Sequence, residues 1–544
     1  MILSYYIAVC VSLGGIVLGA ALPSNQTIRW VDCSKHVPDT DIALNLTGID
    51  LSALPSTLHC GQLEVPMDYS RPISPTNNIT LGLAMYRPKN PKGVIFYNPG
   101  GTDAAAVWAW KAALNRTSSS TPDFNGLLEF DLMMADTRGT FSSNELNVSI
   151  EVVVPLLDPY PTNQSGFDAF RQASKAVFQS FVNASTPPGI VQHVGTRESV
   201  QDFESLRVAL GYDKIHFLGC STGSYRVAQY ASQYPEHVGR FVLDAISPHG
   251  MTIINQSQYD VAAVNRALLR ADAYCQNNAS CPFHSQGKGS VPKVSRQLFA
   301  NQPLLRWLTI QIYQEIVAAA QNSSSSAAFE LQYDFLNLVS GQPDFPQIFE
   351  AFEALLQGQS LGSDDSSVTL AAVVGIPIIC SDITILENTF AGFQQDLAAM
   401  EKLDTFHIGQ SGTMQFRLWC AGWPYSTAPL EPLNITAPML LVTADFDVAT
   451  PTEKATFQWQ QAPNSVLLVR HGDDHVSFNE PDLPTAAIMR NFLSTGSLPA
   501  AMNGTQMSIY HPGMHRGPIP DPYDVPTGLV AGDIDSAENG TVGA

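Results

Sequence analysis

The chain has 544 residues, 45% of them hydrophobic, and a formal net charge of −21. That length calls for a large core with an inserted subdomain, or for two domains. The acidity excludes nucleic acid as a partner, since that requires a basic footprint, and it suits a soluble protein exported into a mildly acidic medium.

Residues 2–22 are an apolar run ending in small residues, with cleavage expected after Ala20 or Ala21, as in a secretory signal. The run is also long enough to span a bilayer and no Lys or Arg precedes it, so a retained anchor is the alternative. No later segment is apolar enough to span, so no membrane association is expected after cleavage, and the polar C-terminus excludes a lipid-anchor signal. Thirteen Asn-x-Ser/Thr sites between Asn25 and Asn539 fit a glycosylated surface.

Of the eight cysteines, Cys10 leaves with the signal and Cys220 lies inside a turn, where it is expected to be buried and inert. Cys33, Cys60, Cys275, Cys281, Cys380 and Cys420 remain. An even set in an oxidising compartment implies disulfides. Proximity along the chain suggests the pairs 33–60, 275–281 and 380–420. There is no C-x-x-C and no paired His spacing, so neither a metal nor a cofactor is expected.

From residue 60 onward hairpin-like strands lead to short apolar runs at 94–97 (VIFY) and 132–135 (LMMA), as buried strands do. A helical stretch at 196–210 precedes a strand at 214–218 (KIHFL), a helix from Ser224 and a strand at 241–243 (FVL). Residues 250–430 are dominated by helical periodicity. Strand and helix then alternate again, with runs at 439–443 (MLLVT) and 465–469 (SVLLV) and a last helix near 483–493. Such alternation predicts a mainly parallel α/β sheet covered on both faces, doubly wound, with a helical lid inserted. Beyond about 500 the chain is rich in Pro, Gly and Asp and reads as an extended tail.

Gly219-Cys220-Ser221-Thr222-Gly223 falls between the strand at 214–218 and a helix. A G-x-S-x-G on a strand–turn–helix holds its Ser on a strained turn with the hydroxyl exposed. The pattern alone is weak, with about 0.2 chance matches expected in a chain of this length. A second copy, Gly358 to Gly362 around Ser360, follows an amphipathic helix at 346–357 and runs into a polar loop. Strand and helix context therefore selects Ser221 over Ser360.

An activated Ser needs a general base and the base needs an orienting carboxylate, here expected in the order Ser, acid, His. Asp445 and Asp447 both follow the strand at 439–443, and His471 and His475 both follow the strand at 465–469. Asp447 and His475 lie farther out in their loops, whereas Asp445 suits a local turn and His471 a structural role at a strand end. The oxyanion needs backbone N–H donors. Thr222, at the start of its helix, supplies one, and Gly101 in Asn98-Pro99-Gly100-Gly101 is expected to supply the other.

In this order, Cys60 to Tyr69 (CGQLEVPMDY), NPGG at 98–101, Asp136-Thr137-Arg138-Gly139, GCSTGSY at 219–225, Asp447 with Thr450-Pro451 and Gly472 to His475 resemble the α/β-hydrolases of the prolyl and tripeptidyl aminopeptidase group. Cys380-Ser381-Asp382 and Cys420-Ala421-Gly422-Trp423-Pro424 look like that group's C-terminal region. The resemblance implies an α/β-hydrolase fold, a secreted serine exopeptidase, and Asp447 over Asp445 as the acid. It also implies Asp382 as a carboxylate for a substrate ammonium, with a structural hydrogen bond as the alternative. The expected organisation is a signal at 1–21, a lead-in at 22–59, the hydrolase core at 60–249 and 431–499, a helical lid at 250–430 and a tail at 500–544.

Three departures from the family pattern lie where substrate would sit: Thr102-Asp103-Ala104-Ala105 after NPGG, Thr140-Phe141 after the Arg-Gly, and Thr222 in place of an aromatic residue. They motivate a second reading, in which the same triad acts on a small-molecule ester or lactone instead of a small peptide. A non-catalytic hydrolase-like binding protein is a third reading, opposed by the presence of every triad member.

Overall fold

The computed structural model describes residues 27–38, 49–101, 104–116, 122–157, 160–289, 291, 343–356, 373–405 and 411–527. The expected signal and Ser360 lie outside them, as do Thr102 and Asp103.

Eleven strands form one sheet among the described residues. They are β1 (Arg29–Val31), β2 (Leu58–Val65), β3 (Ile79–Tyr86), β4 (Val94–Asn98), β5 (Asp131–Ala135), β6 (Ile215–Cys220), β7 (Val238–Asp244), β8 (Leu440–Ala444), β9 (Val466–Arg470), β10 (Met502–Asn503) and β11 (Met507–Tyr510). Their spatial order is β1-β2-β3-β5-β4-β6-β7-β8-β9-β11-β10. The stretch from β5 to β9 is parallel, and antiparallel strands flank it on both sides.

Every residue of β4, β5, β8 and β9 is buried, which is why these strands read as unbroken apolar runs. Side chains alternate between two cores. Phe96, Phe217 and Phe241 face one layer together with Phe178 of α2 (Gln164–Ala184), Phe203 of α3 (Thr196–Leu210) and Val227 of α4 (Thr222–Gln233). Ile95, Tyr97, Leu218 and Val242 face the other, with Trp108 of α1 (Ala106–Leu114) and, near the C-terminus, Met489 of the helix Pro484–Thr495. Phe217 sits edge-on to Phe203, Phe96 and Phe241, with ring centroids 4.9, 5.6 and 5.8 Å away. This strand order, with helices on both faces, is the α/β-hydrolase fold.

Between β7 and β8 the described chain is helical: α5 (Ile253–Asn277) and the helices Phe345–Leu356, Gly375–Asp382, Phe390–Glu401 and Gly412–Trp419. Disulfides join Cys33 to Cys60, Cys275 to Cys281 and Cys380 to Cys420. The first ties the end of β1 to β2, and the third ties Gly375–Asp382 to the turn after Gly412–Trp419. Cys220 is free and buried. Among the described residues, no helix is long and apolar enough to cross a membrane.

Two of the quoted motifs prove to be one structural hub. Arg138 is fully buried and pairs with both oxygens of Asp202, at 2.6 Å each, while donating to the carbonyls of Met67 and His193. Tyr69 donates to the same Asp202 at 2.8 Å. The strands run one or two residues past their apolar letters, because Gly219, Cys220 and Asp244 still carry ladder hydrogen bonds. The tail differs more from expectation. β11 pairs antiparallel with β9, setting Met507 opposite Arg470, and so extends the sheet from within the Pro- and Gly-rich segment.

Candidate active site

The sheet register lines up the ends of the parallel strands. Asn98 of β4 is opposite Gly219 of β6, Cys220 is opposite Asp244 of β7, and Ala444 of β8 is opposite Arg470 of β9. The loops leaving these positions therefore converge at the carboxyl edge, where open α/β sheets bind ligands.

Ser221 joins β6 to α4 with φ 52° and ψ −128°, a conformation that costs a non-glycine residue about 1–3 kcal/mol. It is held by Ser221 N–H donating to the Asp244 carbonyl at 2.9 Å, and by Ser224 donating through N–H and Oγ to the Ser221 carbonyl at 2.9 and 2.5 Å. The glycines explain themselves sterically. A Cβ on Gly219 would lie 2.5 Å from Val227, and one on Gly223 would lie 2.4 Å from the Asn98 carbonyl. One on Gly100 would lie 2.3 Å from the Cys220 carbonyl. The motif's glycines are thus what let helix, strand and the β4 loop approach so closely.

Gly100 and Gly101 both have positive φ, 95° and 51°. Thr222 opens α4 and its Oγ1 donates to the Gly101 carbonyl at 3.2 Å. The two residues expected to donate to an oxyanion are therefore bonded to each other, and with Ser221 they line one cavity.

The two aspartates and two histidines sort into two separate pairs. His475 Nδ1 lies 2.8 Å from Asp447 Oδ2. Asp447 is buried and also accepts from Thr450 N–H at 2.9 Å and Thr450 Oγ1 at 2.8 Å. These contacts fix the carboxylate, and a Nδ1–H donating to it makes Nε2 the proton-accepting nitrogen of the His475 ring. His471 Nδ1 instead lies 2.5 Å from Asp445 Oδ2, and its Nε2 lies 3.0 Å from Ser508 Oγ on β11. Arg516 donates to the other Asp445 oxygen at 2.5 Å. The Asp445–His471 pair thus joins the sheet edge to the tail.

Asp244 went unremarked in the sequence. It ends β7 beside the Ser221 turn, is fully buried, and accepts from Phe478 N–H at 2.8 Å, three residues past His475. Burial pushes its carboxyl up to about 6, against the opposing hydrogen bond from Phe478 and the nearby His475. An apolar strand ending in Asp next to the strand that leads into Ser221 was the available signal.

The cavity holds about 500 Å³. Its wall is mainly apolar, with Met251, Ile253, Ile376, Ile379, Phe416 and Trp419, and the segment between β7 and β8, helices and connecting loops together, supplies most of it. Both carboxylates in that wall are engaged. Asp260 pairs with Lys454 at 2.5 Å and accepts from Ser411 Oγ at 2.9 Å. Asp382 accepts from the N–H and Oγ1 of Thr196, at 3.0 and 2.7 Å, and so caps α3. Loss of solvent pushes Asp382 up to about 6, against the Thr196 hydrogen bonds and the Arg226 charge. Tyr225 stacks on His249 with centroids 3.4 Å apart, and burial pulls that histidine down to about 4, so it is neutral near pH 7. Among the described residues, no group of three or more His, Cys, Asp or Glu is placed to hold a metal ion.

A family model described as TAP-like protein matches residues 407–506, the stretch that contains β8, β9, Asp447 and His475. A tripeptidyl aminopeptidase of Streptomyces coelicolor is 27% identical over 475 residues, covering 84% of this chain and 81% of its own. Serine protease Hip1 of Mycobacterium tuberculosis is 25% identical over 518 residues, covering 90% of this chain and 92% of its own. The solved structure of esterase E22 is 14% identical with a TM-score of 0.35, covering 80% of this chain and 100% of its own.

Proposed function

We propose that this chain, which belongs to the α/β-hydrolase family, is of the serine-hydrolase kind and carries a TAP-like C-terminal region, is a secreted aminopeptidase with Ser221, His475 and Asp447 as its triad. The carrying observation is the 2.8 Å contact of His475 Nδ1 with Asp447 at the same sheet edge as the strained Ser221.

In this reading His475 Nε2 takes the Ser221 proton as Oγ attacks the substrate carbonyl. The N–H groups of Gly101 and Thr222 receive the oxyanion, the latter aided by the α4 dipole. His475 then gives its proton to the leaving amine, and water, activated by the same imidazole, hydrolyses the acyl-enzyme. The chemistry needs no cofactor. Peptide N-termini as substrates are supported by the tripeptidyl aminopeptidase relative, and apolar side chains by the cavity wall. Asp382 is the carboxylate proposed to face a substrate ammonium from that wall.

Secretion is supported by the three disulfides and by the sequons. Each described sequon asparagine, such as Asn115, Asn147, Asn163 and Asn434, is exposed or half-buried, as a glycosylation acceptor must be.

The ester reading rests on a specific observation: Asp260 is neutralised by Lys454 and Asp382 is spent on capping α3, in a wall that is otherwise mainly apolar. Turnover of an aminoacyl amide, its N-blocked form and a simple ester separates the two. A strong preference for the free amine is expected; equal rates on blocked and free amines overturn the aminopeptidase reading. Fluorophosphonate labelling is expected at Ser221, and labelling elsewhere removes the triad assignment.

A further inference from the structure

We propose that residues 516–526, gripped by Arg270, form a strap that positions the two loops carrying Asp447 and His475. The proposal rests on the triad reading above, and its test is arranged so that the two fail differently.

Arg270 lies on α5 and is fully buried. A guanidinium has five N–H donors, and here all of them are used. Nε and Nη2 form a bidentate pair with Asp473, at 2.7 and 2.9 Å, two residues before His475. Nη1 donates to the carbonyls of Pro522, at 2.7 Å, and Val525, while Nη2 donates to that of Pro526 at 2.9 Å. Asp473 alone would leave three donors without acceptors in the interior. The tail carbonyls complete the set, so helix, histidine loop and tail stand or fall together.

The aspartate loop is tied into the same unit. Phe446, between the two aspartates, is fully buried beneath the Arg270 guanidinium at 4.8 Å. It packs against Val525 and Ile519 of the tail. Its N–H donates to the Gly472 carbonyl at 3.0 Å, linking the two loops directly. Arg516 reaches from the tail to Asp445 and to Thr456 Oγ1, at 2.5 and 2.6 Å. Tyr523 donates to Asp272 on α5 at 2.6 Å. The tail thus braces both loops and locks them to a helix whose residues Ile253, Gln256 and Asp260 line the cavity.

Two variants test this: Arg270→Lys, and a chain ended after Gly517, the latter with and without a peptide of residues 518–527. Each is measured by fluorophosphonate labelling rate at Ser221, by kcat and KM on an ester, and by thermal melting. Misplacing a general base by about 1 Å costs on the order of 10²-fold in rate, so labelling rate and kcat are expected to fall by that order. KM is expected to hold within about threefold, and the added peptide to restore part of the loss. A loss of stability alone would not lower the labelling rate far below the melting temperature. A folded variant whose labelling and kcat stay within about twofold of the unmodified enzyme overturns the strap. If both variants fail to fold, hydrogen exchange on the unmodified enzyme decides: matched protection of 471–476 and 518–526 supports the strap, and a tail that exchanges far faster refutes it. An unmodified enzyme that does not label at Ser221 refutes the triad reading instead, and hydrogen exchange then tests the strap separately.

Discussion

Thr222 Oγ1 donates to the carbonyl of Gly101 at 3.2 Å, so the residue after Ser221 holds the glycine loop in place. Thr222→Val removes the bond and keeps the shape. With oxyanion donors displaced by a fraction of an ångström, kcat is expected to fall about tenfold with little change in KM. Thr222→Ser keeps the hydroxyl and should stay near the unmodified rate. Steady-state kinetics on one ester compares all three.

The two Asp–His pairs predict unequal effects. Asp447→Asn loses the carboxylate that orients His475, and in a triad this costs about 10⁴-fold in kcat. Asp445→Asn weakens contacts to His471 and Arg516 instead. It should lower the melting temperature and leave kcat at least about 100-fold above that of Asp447→Asn. Comparable kcat losses would remove the distinction between the pairs.

Asp382 ties stability to pH. Its ordinary value is 3.8 and folding raises it to about 6. The protonated form is therefore the one the fold favours. Its contribution is complete below the ordinary value and is lost as pH rises through the folded value. Asp382→Asn keeps an acceptor for Thr196 and does not ionise. The melting temperature of the variant relative to the unmodified protein should therefore climb between pH 4 and pH 7. A constant difference across that range would refute the assignment.

The Cys380–Cys420 bond closes a separation of 40 residues, for which chain entropy gives about 4 kcal/mol of stabilisation. Replacing both cysteines by alanine should lower denaturant stability by that order. Because Gly375–Asp382 and Gly412–Trp419 both line the cavity, KM should rise more than kcat falls.

The parallel core was legible because its strands are buried on both faces and so read as bare apolar runs, as at β4 and β9. The Ser221 turn was legible because glycines at 219 and 223 are forced by contacts of that turn. The sorting of Asp445 and Asp447 was less so, since both follow the same strand and only tertiary geometry assigns one to His471 and the other to His475. Arg270 was invisible, because one Arg in a helical stretch reads as a solvated charge until its partners, some 200 residues on, are known. β11 was hidden for a related reason: a four-residue strand amid Pro and Gly has no meaning apart from the β9 edge it covers.

That covering reshapes the margins of the sheet. With β11 seated on β9, the outermost strands among the described residues are β1 and β10, of three and two residues. Neither offers an extended row of free backbone groups to another molecule, so the same residues that close the fold also blunt its capacity to template intermolecular β-pairing. A chain ended before β10 would lose the 516–526 strap along with β11, so it should expose β9 along its length and aggregate on concentration as well as hydrolyse more slowly.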